Sequence, residues 1–403
     1  MDTPVFFHID VNSAFLSWTA LALLEAGHDT DLRQIPSIIG GDMSTRHGVV
    51  LAKSIPAKAY GIVTGEPVAN AFRKCPGLVT APPDHALYHK RSSEMIAYLA
   101  GVCPDLEQVS IDECYMDYTP ISHNYASPET AAALIKDTIR EKFGFTVNVG
   151  ISDRKVLAKM ASDFKKPDLV HTLYCGEIRE KLWPLPVSSL FMCGRSSVNV
   201  LRNLGILTIG DLAKTDPSIL ESHLKSHGRT LWNYANGRDS SGIFSEPAKA
   251  KGIGNSVTLS ADAVTREEAA RFLLKLSESV GRRLRASHQL AGLVCTEIKY
   301  HTFRSVSHQT VLDVPTDSTD QIYRQACALF DELWDGTPIR LLGIRTGRLA
   351  EETDPIQLSL FDPDFSVSEK QKKLDAALDQ IRSRFGQDAI KRGSLVDSPR
   401  SDL

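Results

Sequence analysis

Three short apolar runs in the first third of the chain each adjoin acidic side chains. The runs cover residues 5–9, 109–111 and 114–116. Asp10 ends the first run, and the adjacent pair Asp112 and Glu113 lies between the other two. Because side chains alternate between the faces of a strand, runs this apolar predict covered strands, with Asp112 and Glu113 at or beside a turn. If the strand ends lie side by side, the three carboxylates converge.

Such a group of carboxylates needs a positive partner. Burying an unpaired carboxylate costs several kcal/mol or forces it to take up a proton, so we expect these three to tolerate each other only with divalent cations among them. Hard oxygen ligands suit Mg²⁺, which is commonly shared with substrate phosphates. By pattern alone, however, an ordinary polar turn at Asp112 and Glu113 and a helix cap at Asp10 are the favoured interpretation.

Strands and helices alternate around these runs. Apolar residues at helical spacing predict helices over residues 12–24, 85–99, 130–143 and 155–164. Strands are predicted over residues 36–42, 48–52 and 145–151. This order predicts an α+β domain built from two distant pieces of the chain, residues 1–15 and 80–172.

The second half of the chain predicts a helical region and another mixed unit. Helical signals with short loops extend over residues 183–239, and a linker rich in Gly, Lys and small residues follows over 240–254. Residues 256–349 then predict the order βαββαβ. The predicted elements are strand 257–259, helix 266–288, strands 293–300 and 307–314, helix 320–334 and strand 339–349, with a last helix over 366–384.

Composition limits the class of protein. A chain of 403 residues with 42% hydrophobic and 24% charged residues is typical of a soluble protein of about two to four domains. We expect neither a membrane span nor a signal peptide, and therefore a cytoplasmic location. The seven scattered cysteines, none in CxxC, indicate reduced thiols. A net charge of -3 means that any DNA contact must come from local basic patches.

Two of these stretches resemble known signatures. SIDECYMDYT, which contains Asp112 and Glu113, resembles the SIDEAYLDVT-type signature of Y-family, lesion-bypass DNA polymerases. HIDVNSAF, which contains Asp10, is similar to their amino-terminal HIDMDAFF-type signature, and the DinB-like (DNA polymerase IV) group is the nearest match. The resemblance implies a right-hand polymerase fold of the α+β class. Its implied parts are palm (1–15 and 80–172), fingers (16–79), thumb (173–239), linker (240–254), little finger (255–349) and tail (350–403).

The resemblance also implies a function, template-directed addition of deoxynucleotides to a primer 3′ end during translesion synthesis. Asp10, Asp112 and Glu113 would be catalytic and, together with Val11, would hold two Mg²⁺ ions. Phe15 matches the steric gate that rejects the 2′-hydroxyl of ribonucleotides.

Three lysines match the residues that meet the incoming deoxynucleoside triphosphate. Lys58 lies in AKAYG, where the family usually has Arg, so two-oxygen recognition is lost at this position. Ile55 stands where the family has Tyr. Lys159 and Lys166 lie in a run similar to the family's GIS…AK…KP pattern.

The remaining implied contacts are with primer-template DNA and with a protein partner. Gly194 and Ser196 fall in a helix-hairpin-helix that binds a DNA phosphate through backbone amides. Arg283 and Arg304 are candidate phosphate contacts in the little finger. The segment 357–361 matches the bacterial sliding-clamp motif. Its residues Gln357, Leu358, Leu360 and Phe361 would bind the clamp, and the chain is expected to be a monomer.

Two rival hypotheses remain at this point. The first is a catalytically weak DNA-binding scaffold recruited by the sliding clamp, because Ala14, Ile55 and Lys58 depart from the family pattern. A primer-extension assay separates it from an active polymerase. The second rival is a nucleotidyl cyclase with a similar palm, which would make a cyclic nucleotide without DNA and gives no role to thumb, little finger or clamp peptide.

Overall fold

The computed structural model describes residues 4–41, 48–239, 242–244, 249–351, 353, 369–386, 389–390 and 392–393. Within these residues the chain forms two units, the first built from residues up to 244 and the second from residues after 248. None of the described helices has both the length and the apolar character that crossing a bilayer requires.

The first unit begins with the strand β1 (Phe6–Val11) and the helix α1 (Ala14–Glu25). All six residues of β1 are buried. Phe7, Ile9 and Val11 point into a hydrophobic core. The alternate residues, His8 and Asp10 among them, therefore lie on the opposite face of the strand.

A small three-stranded sheet follows, as the two short predicted strands suggested. Its strands run in the order β3-β2-β4. The elements are β2 (Ser37–Gly40), β3 (Val50–Lys53), α2 (Ile55–Ala59), α3 (Val68–Lys74) and β4 (Val79–Ala81). Because β4 pairs with β2, this sheet extends two residues into the range predicted for the palm.

A five-stranded sheet with β1 at its centre makes up the rest of the α+β region. Its strand order is β5-β6-β1-β7-β8. The elements are α4 (His85–Val102), β5 (Leu106–Gln108), β6 (Glu113–Asp117), α5 (Pro128–Phe143), β7 (Val147–Ser152), α6 (Lys155–Ser162) and β8 (Val170–Thr172). The α+β class is thereby confirmed.

The strand predicted over residues 109–111 is wrong. The strand that pairs with β6 ends at Gln108, and Val109 is 53% exposed. The N–H groups of Val109 and Ser110 both donate to the carbonyl of Glu113, at 3.0 and 3.2 Å. These bonds close a turn in which residues 109–112 connect the strands, so the apolar side chains mark the turn instead of a covered strand.

The helical region continues the first unit. Its helices are α7 (Arg195–Asn203), α8 (Ile209–Lys214), α9 (Pro217–Leu224) and α10 (Ser226–Ala235). Their core includes Val156, Leu157 and Met160 of α6. Helix α6 therefore packs one face on this core, while Lys159 and Ser162 on its other face bond to side chains of β1.

The second unit has the predicted order βαββαβ. Its elements are β9 (Gly254–Ala263), α11 (Arg266–Ala286), β10 (Gln289–Tyr300), β11 (Ser305–Thr316), α12 (Thr319–Leu333) and β12 (Ile339–Glu351). The strands form one antiparallel sheet in the order β11-β10-β12-β9. Helix α13 (Glu369–Phe385) follows, close to its predicted range. Since β9 already begins at Gly254, the predicted linker is one residue too long.

Candidate active site

Strand pairing brings Asp10 and Glu113 together. Antiparallel β1 and β6 place the two residues directly opposite each other, although 103 positions separate them in the sequence. Side chains of opposed residues lie on one face of the sheet, about 5 Å apart at Cβ. The predicted meeting of the two strand ends is therefore confirmed for this pair.

Among the described residues, metal-type donor atoms come together at His8, Asp10 and Glu113. One donor atom from each lies within 4.8 Å of the others. The sequence prediction missed His8, which it treated as part of an apolar run. Strand alternation could have found it, because residues 8 and 10 share a face of β1.

Asp112 is absent from this group. The Ser110 hydroxyl donates to Asp112 Oδ1 at 2.6 Å, and the Val11 N–H donates to the Asp112 carbonyl at 3.0 Å. Asp112 nevertheless lines the same cavity as Asp10, and its place in a shared metal site with Asp10 and Glu113 stays a prediction. Its carboxylate is held locally, by the hydroxyl of a residue in the same turn.

Two lysines compensate the charge of the cluster. Lys159 Nζ lies 2.6 Å from Glu113 Oε2 and 3.2 Å from Asp10 Oδ2. Lys166 Nζ lies 2.7 Å from Asp10 Oδ1. The expectation that only divalent cations could reconcile these carboxylates is therefore wrong, because ammonium groups of this chain can do so.

The protonation states follow from these contacts. The hydrogen bond from His8, with a smaller effect of Lys159, lowers the pKa of Glu113 to about 2 against the opposing effect of burial. Burial lowers the pKa of His8. For Lys159, burial alone would lower the pKa, but the carboxylates of Asp10 and Glu113 outweigh it and raise the pKa. Near pH 7 the site holds an ionised Glu113, a charged Lys159 and a neutral His8.

A large cavity opens beside the cluster, within the first unit. Its volume is about 960 Å³. The wall contains most of the site residues predicted for this unit, namely Asp10, Val11, Phe15, Lys58, Asp112 and Lys166. Glu113 and Lys159 are not part of the wall and lie beside Asp10. The cavity therefore presents two carboxylates and several cationic side chains to a ligand.

Phe15 has a fixed position in this wall. Its ring stacks on Tyr88 with 4.3 Å between centroids and 10° between planes. Ser13, at the start of α1, takes a left-handed backbone conformation with φ of 50°. Ala14 behind the ring is 5% exposed. The side chain that borders the cavity at this point is thus a single, well-packed aromatic ring.

Lys58 and Ile55 enter the cavity from α2. The Ser54 hydroxyl caps this helix by accepting from the Ala57 N–H. Ile55 is 62% exposed and Lys58 lies in the last turn, so both side chains are available to a bound ligand.

The predicted DNA contacts lie elsewhere. Gly194 is the cap of α7 and Ser196 in its first turn is exposed. In the second unit, Arg283 donates to the Gly254 carbonyl at 2.8 Å, and Arg304 pairs with Asp335 at 2.7 Å. All four contacts with DNA stay predictions. The clamp residues 357–361 lie outside the described residues.

Comparisons with known proteins agree on one family. Residues 9–163 match the model of the impB/mucB/samB family, and residues 250–360 match its C-terminal domain. DNA polymerase IV of Clostridium acetobutylicum is 46% identical over 98% of this chain and 99% of its own length. DNA polymerase IV of Acetivibrio thermocellus is 36% identical over 97% of each chain.

A solved structure shows the same fold. A Y-family DNA polymerase chimera, Dbh-Dpo4(243-245)-Dbh, superposes with a TM-score of 0.75 at 21% identity. The match covers 86% of this chain and 99% of the chimera. The C-terminal family match ends at residue 360, so helix α13, which begins nine residues later at Glu369, lies outside it.

Proposed function

Because this chain belongs to the impB/mucB/samB family of Y-family DNA polymerases, we propose that the cavity beside Asp10 is where it extends a primer. The chain is a DNA-directed DNA polymerase of the translesion class, like its relatives named DNA polymerase IV. Primer-template DNA and deoxynucleoside triphosphates are its substrates, and it depends on a divalent metal ion.

Asp10, Asp112 and Glu113, together with Val11, would hold two Mg²⁺ ions. The donor set supports this, because hard oxygen atoms at a cavity large enough for a triphosphate suit Mg²⁺. When bound, such ions lower the pKa of the primer 3′-hydroxyl and neutralise the triphosphate. For Asp10 to become a ligand, Lys159 and Lys166 must give up their bonds to it.

The cationic side chains bind the triphosphate. Lys166 lines the cavity and its ammonium group is 2.7 Å from Asp10, so it can turn from that carboxylate to a phosphate without leaving the site. Lys58 offers a second positive charge from α2. Lys159 lies deeper and serves the same substrate only once its bonds to Asp10 and Glu113 are released.

Phe15 selects the sugar. The stacking on Tyr88 prevents the ring from moving aside, so a 2′-hydroxyl placed against it would clash. Ala14 leaves this selection to Phe15 alone.

Contacts outside the cavity hold the DNA and recruit the enzyme. Gly194 and Ser196 bind a phosphate, and Arg283 and Arg304 bind the duplex backbone. The monomeric chain is recruited by the bacterial sliding clamp through Gln357, Leu358, Leu360 and Phe361. Support for that recruitment is the apolar sequence of the peptide, which follows an acidic stretch after the end of β12.

The rival hypotheses are less favoured. The scaffold and the cyclase do not explain why the relatives that cover nearly the whole chain are named DNA polymerase IV. Asp10 and Asp112 also lie in the cavity wall, where a scaffold without turnover would have no use for ionisable carboxylates.

The observation that carries the proposal is the pairing of Asp10 with Glu113 beside the cavity. Primer extension with Mg²⁺ tests it. We expect Asp112→Ala to abolish extension while DNA binding and the thermal midpoint stay near those of the wild type. Asp29→Ala, at an exposed acid of the same unit, is the matched control and should extend normally. Near-normal extension by Asp112→Ala would refute the assignment.

A further inference from the structure

A buried histidine lies behind the candidate catalytic carboxylates. His8 is 1% exposed and stands at the centre of β1. Strand alternation puts it on the face that carries Asp10, next to α6. Its ring also packs edge-on against Tyr115 of β6, with 4.7 Å between centroids. The surroundings thus hold the imidazole in a single position.

Both ring nitrogens of His8 have polar partners. Nε2 lies 3.1 Å from Glu113 Oε2, and Nδ1 lies 2.8 Å from the Ser162 hydroxyl. An ionised carboxylate can only accept, so Nε2 must carry the proton. In a neutral ring Nδ1 then has to accept, and the Ser162 hydroxyl must donate to it.

Two acceptors compete for the proton of the Ser162 hydroxyl, namely His8 Nδ1 and a backbone carbonyl. The Ser162 oxygen also lies 2.8 Å from the carbonyl of Lys159. The hydroxyl has one proton to donate. If that proton goes to the carbonyl, Nδ1 must donate as well and the buried ring must be charged. The cost of burying a charge favours the arrangement in which Ser162 donates to Nδ1.

Two side chains, Lys159 and His8, contact Glu113 Oε2, and they hold this atom in different ways. Lys159 holds the oxygen at 2.6 Å but is shared with Asp10 and Asp163. A metal cation bound at this site would repel the positive charge of Lys159. His8 is fixed by its packing, so its bond survives when the ammonium group leaves. No described residue bonds to Glu113 Oε1, which leaves that atom available to a ligand.

We propose that His8 is a positioning residue, which holds Glu113 Oε2 through Nε2–H and so presents Oε1, while Ser162 fixes the tautomer. This inference rests on the proposed function. It adds a residue that contacts a proposed metal ligand and not the metal itself. A group that orients a metal ligand in this way commonly affects metal affinity or activity by about 10–100-fold.

Two amides of similar size test the proposal against a purely structural role. In His8→Gln the amide nitrogen can take the place of Nε2 and reach Glu113, whereas in His8→Asn the amide can take the place of Nδ1 and reach only Ser162. We expect kcat for primer extension to stay within about threefold of the wild type for Gln and to fall about 10–100-fold for Asn. KM for the nucleotide should change little in either variant.

A measurement that does not depend on turnover accompanies this one. Mn²⁺ binding is followed by electron paramagnetic resonance in a complex with a dideoxy-terminated primer and nucleotide. We expect His8→Asn to bind Mn²⁺ about 10-fold more weakly than His8→Gln. Thermal midpoints of the two variants show whether both fold. Equal kcat and equal Mn²⁺ affinity in Gln and Asn would overturn the proposal.

The tautomer is tested separately by ¹⁵N NMR of histidine-labelled protein. The signal of His8 is identified by its loss in His8→Gln. A neutral ring with the proton on Nε2 is expected, and a ring protonated on Nδ1 would overturn the proposal. Asp112→Ala keeps the two ideas apart: if that variant extends primers normally, the proposed function fails, whereas the histidine proposal fails on the comparison of Gln with Asn.

Discussion

Lys159 of α6 and Glu113 of β6 form an ion pair with 2.6 Å between Nζ and Oε2. The side chains are 12% and 26% exposed, so the pair is only weakly screened by solvent. Lys159 also reaches Asp10. The site is therefore stabilised by a cation of the chain itself, and under the proposed function a metal ion would compete with that cation for the same carboxylates.

Removing Lys159 should make the free energy of unfolding depend on whether a metal ion is bound. In Lys159→Met, Asp10 and Glu113 repel each other with less compensation, and we expect unfolding to cost about 1–3 kcal/mol less than in the wild type. Saturating Mn²⁺ should reduce that difference, because it supplies the missing positive charge. Urea unfolding with and without Mn²⁺ measures both quantities.

Lys90→Met is the matched control, since Lys90 is an exposed residue of α4. It should change the free energy of unfolding by less than about 0.5 kcal/mol. A deficit in Lys159→Met that is the same with and without Mn²⁺ would contradict the competition.

Glu113 should make the stability of the fold depend on acid pH. Its ordinary pKa of 4.5 describes the unfolded chain, and the folded value is about 2. A lowered carboxylate pKa contributes stability that is fully present above the unfolded value and is lost as the pH falls towards the folded value. The wild type should therefore lose stability relative to Glu113→Gln between pH 4.5 and 2, as measured by urea unfolding. A difference that does not change across this interval would show that the pKa of Glu113 is not lowered.

The proposed role of Phe15 as a steric gate predicts a change in sugar selection. Phe15→Ala removes the ring that stacks on Tyr88 at 4.3 Å, and space for a 2′-hydroxyl opens at the cavity wall. We expect the ratio of kcat/KM for deoxynucleotides to that for ribonucleotides to fall by at least about 10–100-fold. Single-nucleotide incorporation measures the ratio.

Phe72→Leu, at a partly buried ring that packs against the core of the small sheet, is the control for a lost aromatic ring. It should leave the ratio unchanged. Equal discrimination by Phe15→Ala and the wild type would mean that another group selects the sugar.

The proposed clamp peptide, residues 357–361, predicts that variants of it lose recruitment but keep catalytic activity. Leu358→Ala with Phe361→Ala should abolish stimulation by a bacterial sliding clamp and leave extension without the clamp unchanged, because an apolar anchor carries most of such an interaction. Phe385→Ala is the matched control, since Phe385 is a 74% exposed aromatic residue of α13. Surface plasmon resonance with immobilised clamp measures the binding, and retained binding by the double variant would rule the peptide out.

Periodicity predicted most elements, because their packing follows the pattern. Helix α12 covers Thr319–Leu333, against a prediction of 320–334, and β12 begins at the predicted Ile339. Both elements bury an apolar face in one core, so their spacing in the sequence is enough to locate them.

Helix α13 shows where the pattern misleads. Leu374 and Phe385, two of its apolar positions, are 48% and 74% exposed, whereas Asp375 and Arg382 are buried. Arg382 pairs with Glu278 of α11 at 3.1 Å. Ion pairs between residues far apart in the sequence decide which face of α13 packs, and hydrophobic periodicity carries no information about such pairs.

The same limit applies to the site. Motif resemblance located Asp10, Asp112 and Glu113, and strand alternation puts His8 on the face of Asp10, but the contacts of His8 and of the lysines depend on the β1–β6 register and on the position of α6. Those are tertiary facts that a single sequence does not specify.

The most direct test is a crystal structure with primer-template DNA, an incoming nucleotide and Mn²⁺. We expect anomalous peaks for Mn²⁺ against the carboxylates of Asp10 and Asp112, with Lys166 Nζ moved from Asp10 to the triphosphate. Peaks absent from this position, or a nucleotide bound while Lys166 and Lys159 keep their bonds to Asp10, would contradict the account.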